Sequence, residues 1–99
     1  KFGNADLGGS VFREANAPEA DFRDSNLSGT DFSGANLRHA RFGGAKLFAA
    51  NLCGADLSGA RDFTALQLSQ ARTDPTTILP NGSSGPFLRN SGAERTRRF

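Results

Sequence analysis

His39 is the only histidine among the 99 residues, and Cys53 is the only cysteine. Histidine is the side chain best suited to moving protons near neutral pH. To do so in catalysis it needs a nucleophile and an orienting carboxylate within hydrogen-bond reach. No Ser/His/Asp grouping and no pair of metal ligands can be built around Arg38-His39 from the spacing alone, so His39 reads as a solvated residue on an outward corner. A single cysteine excludes an internal disulfide and a Cys-rich metal site. Gly43-Gly44 belongs to no phosphate-binding loop or dinucleotide fingerprint. Asp and Asn are plentiful, but they recur at one fixed place in a short phrase, where they suit turns and bond neighbouring backbone. Their regularity makes them structural. The sequence therefore predicts no catalytic, cofactor-binding or metal site, and a chain that is not an enzyme.

The phrase itself returns every five residues, as in ANLRHARFGGAKLFAANLCGADLSGA over residues 35–60. Its central position reads Phe2, Leu7, Phe12, Ala17, Phe22, Leu27, Phe32, Leu37, Phe42, Leu47, Leu52 and Leu57, all Phe or Leu except Ala17. Two residues before each centre stands Ala, Ser or Thr, from Ala5 to Ala55. A period of five fits neither a helix nor a simple strand. It closes if every phrase turns one corner of a square, with centres and small residues facing inward and four phrases to a coil. Residues twenty apart then stack: Phe2, Phe22 and Phe42 in one column, Leu7, Leu27 and Leu47 in the next. A plain Phe/Leu alternation of period ten would fill the columns similarly.

This pattern resembles the pentapeptide-repeat family, with its A(D/N)LXX motif. It is carried here by Ala5-Asp6-Leu7, Ala35-Asn36-Leu37, Ala50-Asn51-Leu52 and Ala55-Asp56-Leu57, and by Phe variants such as Ala20-Asp21-Phe22. The resemblance implies a right-handed quadrilateral β-helix. The expected fold is therefore an all-β, parallel β-solenoid of about three coils over residues 1–62. Ala17-Pro18 departs from the motif, and that coil should be slightly loosened.

After Ala60 the frame slips by one residue. Phe63 keeps the Phe column, and Thr64 with Gln67 forms a capping-box signature. A cap is expected over residues 63–80: a short helix at about 65–72, then an extended Thr76–Pro80 segment. Such ends are similar to those of other family members, and open coils need covering. The alternative is a further coil containing a bulge.

Charge is unevenly placed. Residues 1–78 carry eight Lys/Arg against nine Asp/Glu, and residues 79–99 carry four Arg against one Glu. The near-neutral body argues against a surface built for polyanions. Residues 81–99 have linker composition ending in arginines and read as a basic tail, either flexible or docked on a partner. Phe87, Leu88, Arg95, Arg97, Arg98 and Phe99 are its natural anchors. On the solenoid, Phe48 and Cys53 break the outward polar rule and are expected to be exposed on adjacent faces.

Together these features predict a non-enzymatic scaffold for protein–protein interaction. The resemblance adds a setting, since the family is common in cyanobacteria and thylakoid lumens. A chain starting at Lys1 would suit a processed extrinsic subunit on a larger membrane complex, such as a photosynthetic one, with a cytoplasmic setting left open. No stretch is long and apolar enough to span a membrane. Phe2 on the first coil offers a surface for end-to-end stacking of a second copy. Some family members regulate type II topoisomerases by DNA mimicry. Here three coils at ~4.8 Å give a rod of only ~15 Å, and the outer column Lys1, Asp21, Arg41, Asp62 alternates in sign. No direct nucleic-acid binding is expected, because a few arginines without aromatic platforms are a weak basis for it.

Overall fold

A computed structural model describes residues 3–96. The chain returns beside itself every twenty residues: Asp6 pairs in parallel with Asn26, Val11 with Asp31, Asn16 with Asn36 and Asp21 with Arg41. The same four series run on to Lys46, Asn51, Asp56 and Arg61. Each contact is one bridge rather than a long strand, because a corner interrupts the ladder in every phrase. Ser10 N donates to Leu7 O at 2.9 Å across such a corner, while Leu7 N donates to Asn26 O at 2.9 Å in the next coil. The result is a β-helix solenoid.

The phrase supplies each requirement of this winding. The residue before the centre accepts the backbone N–H two residues on: Asn26 Oδ1 from Ser28, Asp31 Oδ1 from Ser33, Asn51 Oδ1 from Cys53 and Asp56 Oδ1 from Ser58, at 2.9–3.1 Å. Two residues after the centre the backbone is left-handed, from Asn4 at φ 62° to Gly59 at φ 73°. At Gly59 the requirement is double, because a Cβ there would also collide with the His39 ring.

The centres fill the interior. Phe22, Leu27, Phe32, Leu37, Phe42, Leu47, Leu52 and Leu57 are completely shielded, and Leu7 and Phe12 are partly buried against them. Phe2 lies outside the described residues. Rings stack along the axis, Phe12 on Phe32 and Phe22 on Phe42 at 5.3 Å, and Phe42 on Phe63 at 4.5 Å. Thr30 lies inside among the small residues, where its hydroxyl donates to Leu7 O at 2.9 Å. At Ala17-Pro18 the ladder holds on both sides, and the loosening is confined to one corner bond, Ala20 N to Ala17 O at 3.3 Å.

The end of the repeat differs from expectation in three ways. First, Arg61, not Asp62, pairs with Arg41. Asp62 is the inserted residue, left-handed at φ 65°, so that outer column does not alternate in sign. Second, the helix α1 covers Ala65–Gln70, two residues shorter than expected. It stops because Arg72 rejoins the ladder opposite Asn51, with Ile78 next opposite Asp56. The helix thus replaces one side of a coil that otherwise continues, which unites the two expected alternatives. Pro75–Thr76 is a turn, so the extended part begins later than expected. Third, the described part of the tail packs on its own solenoid. Ile78 pairs antiparallel with Ser84, Phe87 N donates to Thr73 Oγ1 at 2.9 Å, and Ala93 is buried.

Gln67 joins α1 to the last full coil. Thr64 Oγ1 accepts Gln67 N at 3.1 Å and Gln67 Oε1 accepts Thr64 N at 2.8 Å, completing the capping box. The other end of the side-chain amide donates to Phe42 O at 2.9 Å and Ala45 O at 2.8 Å. In the coil below, the carbonyl equivalent to that of Ala45 belongs to Ser25 and accepts a ladder bond from Lys46 N. Gln67 supplies the donor that was lost when the backbone turned into a helix.

Candidate interaction surface

The residues with chemical potential are kept apart by this architecture. His39 is exposed at a left-handed corner, φ 60°, with its ring against Gly59. Among the described residues no three His, Cys, Asp or Glu side chains are grouped to hold a metal ion. Cys53 is half-buried rather than exposed, because the segment Arg72–Asp74 of the next coil lies over it. Burial first, and then the charge of Asp74, push its thiol pKa up, so it is held as the unreactive thiol.

Several aspartates are engaged in turns, among them Asp31, Asp56 and Asp74. Asp31 is held below the usual carboxylate range by the Ser33 backbone N–H, then by the Ser33 hydroxyl and the charge of Arg13. Asp74 is lowered chiefly by the Thr76 hydroxyl, which donates to its Oδ1 at 2.6 Å.

What the solenoid does present is a set of side chains on a fixed backbone. Phe48 is 66% exposed. It stands on the segment against which α1 is laid, with Ala49 N donating to Gln70 O at 2.9 Å. The helix adds a second exposed apolar residue, Leu66, at 65%. The frame slip puts Leu66 out of place among small residues, but periodicity does not say which way it points. Of the tail anchors, Phe87 is turned inward and packs against the core. Leu88 is exposed, and Arg95 is exposed beside Glu94 at 3.6 Å. Arg97, Arg98 and Phe99 lie outside the described residues. No described helix is long and apolar enough to cross a membrane.

Comparison with known proteins agrees with this geometry. The family profile described as pentapeptide repeats matches residues 1–34, 18–52 and 35–72, with eight copies. No curated protein matches the sequence. Among solved structures, the pentapeptide repeat protein Rfr23 from the cyanobacterium Cyanothece 51142 is 32% identical over 76% of this chain, with a TM-score of 0.63. HetL, a pentapeptide repeat protein involved in heterocyst differentiation regulation in Nostoc sp. strain PCC 7120, is 26% identical over 82% of the chain, with a TM-score of 0.38. The chain spans 50% of the length of Rfr23 and 43% of that of HetL. Such proteins are generally non-enzymatic repeat proteins. With the five-residue phrase, the ladder of residues twenty apart and the profile all in agreement, this chain belongs to the pentapeptide-repeat family.

Proposed function

We propose that the chain is a scaffold and protein–protein interaction module, wound as a right-handed quadrilateral solenoid of about three coils and closed by its own cap. The observation that carries this reading is Phe48, a large apolar side chain 66% exposed on a hydrogen-bonded wall. Exposed aromatics on rigid supports are typical anchors of protein interfaces. A wall that is already ordered loses little further entropy when a partner docks. Leu66 extends the apolar contact, and Leu88 and Arg95 offer a second one on the tail.

The cyanobacterial origin of Rfr23 is compatible with a further reading, in which the chain is a small extrinsic subunit docked on a membrane complex, such as a photosynthetic one. Photocrosslinking from position 48 in source cells tests both. The expected product is a discrete adduct with a subunit of a membrane complex, lost in Leu66→Ser. Adducts absent from every fraction would contradict the module. Inhibition of topoisomerase supercoiling by the purified chain would favour DNA mimicry instead.

A further inference from the structure

One edge of the solenoid gathers more cations than acids: Arg41 and Arg61 beside the single carboxylate of Glu19. Arg41 and Arg61 are paired directly across adjacent coils, and both are exposed. Like charges opposite one another on a ladder repel. The acid on the same column, Asp21, is already taken, since its two oxygens accept Arg23 Nε at 2.9 Å and Nη2 at 2.8 Å. Asp24 and Asp62 lie close enough to Arg23 for their charges to act on it as well. The acids of this side are thus drawn to Arg23, and the arginine pair is left at the other edge. There the corner before Arg41 carries His39, whose ring lies against Gly59. Arg41, Arg61 and His39 line a recess of about 250 Å³, and Glu19 is the one acid in its walls. Neither arginine forms an ion pair among the described residues.

We propose that this recess binds carboxylates of an acidic peptide segment on a protein partner. Guanidinium forks take carboxylates in a bidentate fashion. Adjacent coils hold the two forks ~4.8 Å apart at their roots, and alternate side chains of an extended peptide rise ~6.8 Å apart. Two long arginines span that difference with ease. Glu19 in the wall opposes a longer polyanion, since it would meet the next phosphates of a nucleic acid. A short acidic stretch fits beside it. The inference rests on the chain being an interaction module and names the chemistry of its partner. It uses a different surface from Phe48.

The test is fluorescence anisotropy of a labelled hexaglutamate peptide with the purified 99-residue chain at low ionic strength. Saturable binding is expected, weakened on the order of tenfold by Arg41→Gln or Arg61→Gln and more by both together. Arg13→Gln, on another side, should leave it unchanged, and a single-stranded oligonucleotide of equal charge should bind more weakly. Circular dichroism of each variant establishes that it is folded. Hexaglutamate binding that survives the double substitution, or an oligonucleotide that binds more tightly through the same arginines, would overturn the proposal. Crosslinking from position 48 is independent of these arginines, so the two readings fail separately.

Discussion

Ala49 adopts φ 59° at a corner where many other phrases place glycine. A Cβ in that conformation crowds the following carbonyl at about 1–2 kcal/mol, and glycine's larger unfolded-state entropy offsets part of the relief. Ala49→Gly should therefore stabilise the chain by up to about 1 kcal/mol in urea titrations. Gly59→Ala should do the opposite and by more, because the new Cβ must also displace the His39 ring. The acid response belongs to this scale too. The pKa of Asp31 is lowered on folding from 3.8, so its contribution is complete above that value. It is lost as pH falls through the lowered native value. Asp31→Asn keeps the acceptor for Ser33 N–H but removes the titration. Melting temperatures measured from pH 6 downward should fall less steeply below about pH 4 in that variant.

At the level of elements, the ladder and its cap meet at Gln67. Replacing it by Met keeps the volume but leaves Ala45 O buried without its donor and opens the capping box. Stranding a buried acceptor costs about 1–3 kcal/mol. Gln67→Met should lower the urea midpoint accordingly, and Ser69→Ala, on the exposed side of α1, should not. The start of α1 was legible, since Thr64 and Gln67, three residues apart, declare the capping box. The solenoid was legible because the five-residue period acts on every phrase at once. The path of the chain beyond the frame slip was hidden. One inserted residue can sit at Arg61 or Asp62 with the same local sequence, and only the ladder decides between them. The second role of Gln67 required knowing which carbonyls the helix would strand. Linker composition at residues 81–96 likewise hid a segment whose backbone is bonded to Thr73 and Thr77. The candidate surface divided along the same line. Phe48 was visible as an exception to a rule, whereas the recess at Arg41 and Arg61 depends on that ladder register.

For the molecule as a whole, a single repeated phrase fixes both the interior and the spacing of everything outside it. The proposed contacts sit on that regular frame: an aromatic where Gly or Ser is usual, and a pair of arginines that the twenty-residue register sets opposite each other. All of it depends on residues twenty apart being neighbours. The most direct measurement is NMR of the chain with labelled phenylalanine. Ring–ring contacts are expected between Phe12 and Phe32, Phe22 and Phe42, and Phe42 and Phe63, whose centroids lie 4.5–5.3 Å apart. Rings that contact only residues nearby in sequence, with amides of Leu27 and Leu37 exchanging freely with water although both are bonded to the next coil, would contradict it.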